Sequence, residues 1–577
     1  MQNHAEQKKR RELFHNLNTG GKTFSFTRVK KDSALFCALV IIWLCFAIFI
    51  FYPLLTLLHT AFFSNGRISI EMLKKNFLNT YTLKSLANSL VLATAVSVCG
   101  TMLGYIFALV VNRTNLPRIL KTLISAITIL PLISPPFTSS ISLTLALGPN
   151  GTLLKLLGMP NANIYGFVGT WISETLTYFP VAYMVISAIL NTMSSNLDDA
   201  ASSLGAKRAR IFRTITVPLS VPAIANSLLL LFGSSLADFA TPLILGGHKF
   251  PILPTQAYLQ ITGMFDLKGG SSLSFLLIIP ALLVFLFQQV LVGKKSYVTV
   301  SGKSAAQSQF TPLPKLLKIL CYVIALLVIA FVIYLYFIIL AGSFVKVWGI
   351  DNTLTLQNYR YVFAHGKKAI TDTLKIAVVS TLLGAVLAVV LGYIIQRKEF
   401  PAKRVLDFSA MLNYALPGTV VGIAYIAAFN KPPLLLTGTM TILVATYIFR
   451  YYATGIRSVI ASLQQIDPAL EEASASLGAN SVRTFTHVTV PLIIPAVLTG
   501  MRYLFIHCMT AISATIFLVS ARWTLLTTRI LESMTELQFP TASAFSVVLI
   551  IFVFAADTLI ALAMKAYTSQ FSGKRRT

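Results

Sequence analysis

The chain has 577 residues, 55% of them hydrophobic and 11% charged, with 47 Lys and Arg against 19 Asp and Glu and a net charge of +28. Its mean hydropathy of +0.75 excludes an ordinary soluble domain, in which apolar residues make up a little under half of the chain. An open sheet cannot cross lipid with its edges unpaired, and alternating barrel strands are absent, so the reading is an all-α polytopic membrane protein.

In chain order, residues 1–33 read as a basic cytoplasmic tail. Between Asp32 and Arg67 no residue carries a formal charge, which is enough to cross roughly 30 Å of hydrocarbon as one helix. That run starts too late and is too long for a signal peptide, so it is read as a retained span. About twelve blocks of spanning length are centred near residues 48, 98, 130, 178, 230, 281, 330, 384, 416, 444, 506 and 554. If the amino terminus is inside and the spans alternate, about two thirds of the cations fall on the inner side, with both termini cytoplasmic. The charge therefore reports topology and membrane lipid, and nucleic acid is not an expected partner. The five cysteines, Cys37, Cys45, Cys99, Cys321 and Cys508, lie in or beside apolar blocks, with neither zinc-site spacing nor the even number of a disulfide framework.

The chain repeats itself. Asp199-Ala200-Ala201 and Gly205 match Glu472-Ala473-Ser474 and Gly478. Ile215-Thr216-Val217-Pro218 matches Val488-Thr489-Val490-Pro491, and Pro222 matches Pro495, every pair at an offset of 273 positions. Upstream, "NSLVLATAVSVCGTMLGYIFALVVNR" (88–113) echoes "DTLKIAVVSTLLGAVLAVVLGYIIQR" (372–397), each closing on an arginine at the expected inner face. Six spans in each copy give the copies the same orientation, a parallel repeat about an axis along the membrane normal. The expected divisions are the tail 1–33, a first half 34–292, a cytoplasmic linker 293–315 rich in Ser, Gly, Pro and Lys, and a second half 316–577.

The repeated polar segment between spans reads as a helix-turn-helix knob. Ser195 is placed as the cap of a short helix, with Asp198 and Asp199 in the first turn, where negative charge suits the helix dipole. Ala200 to Ser203 are small and allow another surface to approach. Gly205 permits the left-handed turn that ends the helix. A second short helix follows over Lys207 to Arg213, and Pro218 is expected to break it before the next span.

The order of acid, Ala, Ala, Gly and a hydrophobic-x-hydrophobic-Pro ending, present twice, resembles the EAA loop of ABC importer permeases of the type I fold. The resemblance covers both halves. It implies that each loop is a coupling helix docking into a separate ABC ATPase, so that two copies of that subunit are partners. Asp199, Ala200, Gly205 and Pro218, with Glu472, Ala473, Gly478 and Pro491, would then be the ATPase-coupling residues. Asp199 stands where the family usually has Glu, and Ser474 where it has the second Ala. Fusion of two halves, with "LADFATPLILGG" (236–247), "LPTQAYLQITG" and "GKKSYVTVSGK", is similar to ferric-iron importers and to a related phosphonate and sugar-phosphate set. The resemblance implies ferric iron as cargo, with a phosphonate such as 2-aminoethylphosphonate or a sugar phosphate as the alternative. It also implies a periplasmic or lipid-anchored substrate-binding protein and a bacterial inner-membrane location.

No ATP site or other cofactor is expected in this chain. "GGKT" (20–23) and "SGKS" (301–304) lack the glycine a phosphate loop needs, since Asn16 and Tyr297 occupy those positions. ATP is expected to be used by the partner. Charges deep in spans are functional candidates, which singles out Asp238 and Arg502 for the translocation pathway, each with a structural role as the competing reading. His507 alone reads as a buried residue, and no cluster marks a catalytic or metal site. An ion-coupled secondary carrier also fits twelve spans in parallel halves, but intramembrane acids are too sparse for a proton relay. A membrane-embedded enzyme lacks any constellation of nucleophile and base.

Overall fold

The computed structural model describes residues 33–573 except 65–66, 69–70, 150, 157, 160–162 and 294–310. Almost all of the expected tail, most of the linker, and the "GGKT" and "SGKS" matches lie outside the described residues. Among the described residues nine single helices are long and apolar enough to cross a membrane, or eleven if each of two bent pairs counts as one span. The expected number of about twelve stands one above that range, the difference being the block near 444.

The bent pairs account for the blocks near 130 and 416. Arg118–Ile133 meets Phe137–Leu156 at 100°, and Lys403–Ala415 meets Gly418–Phe429 at 103°. In each pair the residue before a proline is forced out of the helical region. Ser134 sits at ψ 155° ahead of Pro135, and Leu416 at ψ 145° ahead of Pro417, as the clash with the proline ring requires. The block near 444 is Met440–Gln464, long enough to cross but carrying Arg450 and Arg457. It is packed inside protein along much of its length, so it has less need of a lipid-soluble surface.

The order of elements confirms the repeat. Each half runs through a first long helix, a two-stranded hairpin, a short helix, a second long helix, a bent pair, a third helix and a polar loop. Another long helix, two short helices and a last long helix complete it. Packing repeats too. A Cβ placed on Gly100 would meet Leu231, and one on Gly384 would meet Leu504, the residue 273 positions on. Small residues at matching places let the long helices approach closely.

The halves exchange their first helices. The wide turn Ala47–Phe51 in the first span presents the Phe49 carbonyl, which accepts from the Tyr425 hydroxyl at 2.6 Å, while the Phe49 ring stacks on Phe449 at 5.3 Å. In return Tyr336, on Lys315–Ser343, donates to Ser134 at 2.6 Å, and Trp348 donates to the Leu145 carbonyl at 2.9 Å. Each first helix thus lies against the other half's bent pair, and the two halves bury one continuous apolar core.

Candidate functional site: two loop helices and a shared cavity

The first polar loop forms the helix Ser195–Ser203, capped by Ser194, whose hydroxyl accepts from the Asn196 amide at 3.3 Å. The cap is therefore one residue earlier than expected, and Ser195 is buried at the first helical position. The helix closes through two reverse hydrogen bonds. Ala206 N–H reaches the Ala201 carbonyl at 3.0 Å and Gly205 N–H reaches the Ser202 carbonyl at 2.9 Å, with Gly205 at φ +79°. This Schellman closure needs a left-handed residue, which glycine adopts without a Cβ clash. The second loop repeats it around Ala469–Ser476. Ala479 reaches Ser474 at 3.1 Å, Gly478 reaches Ala475 at 3.0 Å, and Gly478 has φ +84°.

The short helices Arg208–Ile211 and Ser481–Thr484 follow. The expectation that Pro218 breaks the chain there is corrected. Arg208–Ala237 runs as one helix, as does Ser481–Thr510. Pro218 and Pro491 occupy the first turn of the regular stretch, each just after a five-residue wide turn, Phe212–Thr216 or Phe485–Thr489. A proline lacks an N–H and crowds the carbonyl four residues back. A wide turn, with its i→i+5 bonding, lets the helix continue.

Asp199, Ala200, Gly205 and Pro218, and likewise Glu472, Ala473 and Gly478, are exposed, while Pro491 is half-buried. The structure adds residues that the sequence did not single out. Leu204 and Leu477, 273 positions apart, are 89% and 90% exposed at the helix ends, and Leu197 and Leu470 stand exposed on the same helices. Behind each helix lies an acid–arginine anchor. Arg113 Nη1 meets Asp198 Oδ2 at 2.8 Å, both side chains 2% exposed. Arg397 Nε meets Glu471 Oε1 at 3.1 Å. Burial pulls the Arg113 guanidinium below its ordinary value, and the Asp198 carboxylate opposes that pull. Both arginines were visible as the ends of the repeated 88–113 and 372–397 segments; what was missing was the acid facing each.

Between the halves lies a cavity of about 260 Å³. The first half lines it with Tyr178, Ser234 and Asp238, and the second with Arg450, Tyr503 and His507, among others. Asp238 is buried and caps the helix Ala240–Leu245, accepting from the amides of Ala240 at 2.9 Å and Thr241 at 3.4 Å and from the Tyr178 hydroxyl at 3.1 Å. It thus fills the helix-end role and faces the cavity at once. Arg502 is not among the lining residues. Its guanidinium holds the Asp557 carboxylate, Nη2 to Oδ2 at 2.7 Å, a structural ion pair. The arginine on the cavity wall is Arg450. His507 is held between the rings of Tyr503 at 4.1 Å and Tyr451 at 5.3 Å. Among the described residues no three His, Cys, Asp or Glu side chains are grouped to hold a metal ion.

Residues 100–347 and 381–571 match the family described as binding-protein-dependent transport system inner membrane component. A ferric transport system permease protein FbpB of Actinobacillus pleuropneumoniae is 35% identical over 547 residues, 92% of this chain and 79% of that protein. A putative ferric transport system permease protein FbpB 1 of Haemophilus influenzae is 36% identical, over 86% of this chain and 80% of its own length. A molybdenum transport system permease protein ModB of Mycobacterium tuberculosis is 29% identical over 200 residues, 34% of this chain and 74% of its own.

Proposed function

The chain belongs to the family of inner membrane components of binding-protein-dependent transport systems, and from that premise we propose that it imports ferric iron. It is the permease subunit of an ABC importer, a transport subunit and a multi-pass inner-membrane protein. The observation that carries the ferric reading is the likeness, over most of the chain, to two proteins named as ferric transport permeases.

In this reading no cofactor resides in the chain, and ATP is bound and hydrolysed by two copies of a cytoplasmic ABC ATPase. One copy grips the helix around Asp199, Ala200 and Gly205, the other the helix around Glu472, Ala473 and Gly478. The exposed Leu204 and Leu477 offer each an apolar contact. Both termini are cytoplasmic. A periplasmic or lipid-anchored binding protein docks on the outer segments 147–165 and 246–270. An open hollow of about 790 Å³, lined by Thr152 of the first half and by Trp348 and Arg360 of the second, lies beside the first of these segments. When the ATPases close, each coupling helix pulls through its acid–arginine anchor on the end of a long helix, Thr80–Asn112 or Lys367–Arg397. The halves then rock about their pseudo-two-fold axis and the cavity opens inward.

A phosphonate or sugar-phosphate cargo is the second reading, and Arg450 on the cavity wall favours it. The test is uptake in cells carrying the permease with its ATPase and binding protein, comparing ⁵⁵Fe(III) with ³³P-labelled organophosphate. Iron accumulation that needs all three components supports the ferric reading, and organophosphate uptake in its place overturns it. Uptake that persists without any ATPase would point instead to a secondary carrier.

A further inference from the structure

The cavity breaks the molecule's own symmetry in one property, its charge. At the 273-residue offset Tyr178 and Tyr451 are counterparts, both on the cavity wall, which fixes the register. In that register Arg450 replaces Thr177, His507 replaces Ser234 and Tyr503 replaces Leu230. In the other direction Asp238 is matched by Ala511 and Glu174 by Tyr447. The first half supplies the acids, Asp238 on the wall and Glu174 fully buried one helical turn before Tyr178, its carboxylate accepting from Ser235. The second half supplies the base and the histidine.

Neither charge is neutralised by the other. Among the described residues no acid lies within ion-pair distance of Arg450, and no base within that distance of Asp238. Arg450 makes two hydrogen bonds, to the Leu416 carbonyl at 3.2 Å and the Tyr451 hydroxyl at 3.3 Å. A guanidinium has five N–H donors, so donors remain for a ligand. Gly418 leaves it room, since a Cβ there would stand 2.9 Å from Arg450 Nη2. Unpaired charges inside a membrane protein are costly and are retained where cargo meets them.

We infer that this cavity recognises a dipolar cargo, with a cationic centre toward the Asp238 wall and an oxyanion toward Arg450. The inference rests on the ferric reading and deepens it: a bare trication would be repelled by Arg450, so the iron crosses together with an oxyanion ligand. A zwitterionic phosphonate, with ammonium and oxyanion in one molecule, presents the same chemistry.

The test uses the whole importer in proteoliposomes, with loaded binding protein and ATP. ⁵⁵Fe(III) is supplied with ³³P-phosphate as the sole oxyanion, and in a second arm ¹⁴C-2-aminoethylphosphonate is supplied alone. The expected result is ⁵⁵Fe and ³³P entering in a fixed ratio, both falling roughly tenfold in Arg450→Gln and largely kept in Arg450→Lys. Entry of the phosphonate and not of iron, with the same dependence on Arg450, upholds the dipolar cavity and overturns the ferric reading. Entry of ⁵⁵Fe without ³³P overturns the dipolar inference and leaves the ferric reading standing. Import of neither probe overturns both. Should Arg450→Gln fail to insert, the ratio of the two labels in the unaltered protein decides alone.

Discussion

The two loop helices, Ser195–Ser203 and Ala469–Ser476, share a backbone and differ in how they are anchored. In the first, Arg113 and Asp198 form a pair sealed from solvent, each side chain 2% exposed, and Asp198 also accepts from the Thr311 amide at 3.2 Å. In the second, Arg397 and Glu471 are 10% and 17% exposed. There Arg397 also donates to the carbonyls of Leu463 at 3.1 Å and Ile466 at 2.7 Å, and Glu471 also accepts from Thr489 at 3.2 Å, whereas Arg113 also donates to the Met193 sulfur at 3.1 Å. What the copies preserve is an acid on the loop helix held by an arginine at the end of a long helix. The contacts that complete it have diverged. The first loop also touches the chain at Thr311, in the segment that joins the halves.

That difference can be broken in order of expected effect. Removing one partner of a buried pair strands the other charge, at about 3–5 kcal/mol. Arg113→Ala is therefore expected to lower the thermal unfolding midpoint clearly more than Arg397→Ala, because the Glu471 carboxylate left behind is more exposed and keeps the Tyr393 and Thr489 hydroxyls. Equal shifts would erase the distinction. Next come Gly205→Asp and Gly478→Asp. A side chain at positive φ costs about 1–2 kcal/mol, and here it also places a charge on the docking face. Both variants are expected to insert in the membrane and lose uptake, and normal transport by both would overturn the coupling assignment. Smaller still, Leu204→Ser and Leu477→Ser should each weaken ATPase capture by roughly tenfold, the scale of one apolar side chain left unburied, with no change in the unfolding midpoint. The smallest effect is expected from Thr311→Pro, which removes one amide donor to Asp198, worth about 1 kcal/mol. A drop in midpoint of the same size as that of Arg113→Ala would mean that the linker contact, and not the ion pair, holds the first loop.

Much of this architecture was legible in the sequence, because glycine, proline and charge sit where backbone physics demands them. Gly205 and Gly478 announced left-handed turns, and both are found. Constant spacing exposed the repeat. The two bent pairs were hidden because a hydropathy block reports apolar length and not direction. Ser134-Pro135 and Leu416-Pro417 carried the bend in plain view, but only as a local rule on the residue before proline. The anchors were half visible, since Arg113 and Arg397 ended matching segments while Asp198 and Glu471 were masked by the neighbouring Asp199 and Glu472. Arg502 drew attention as a charge in a span, yet only three dimensions reveal Asp557 beside it. Arg450 escaped because it stands at the edge of the apolar block near 444, while the helix Met440–Gln464 runs on well past it.

The most direct test of the central claim is the mass of the intact detergent-purified importer by native mass spectrometry. The account predicts one permease with two ATPase subunits, falling to one when either Gly205→Asp or Gly478→Asp is introduced and to none when both are. A complex with a single ATPase, or two ATPases retained in the double variant, would contradict it.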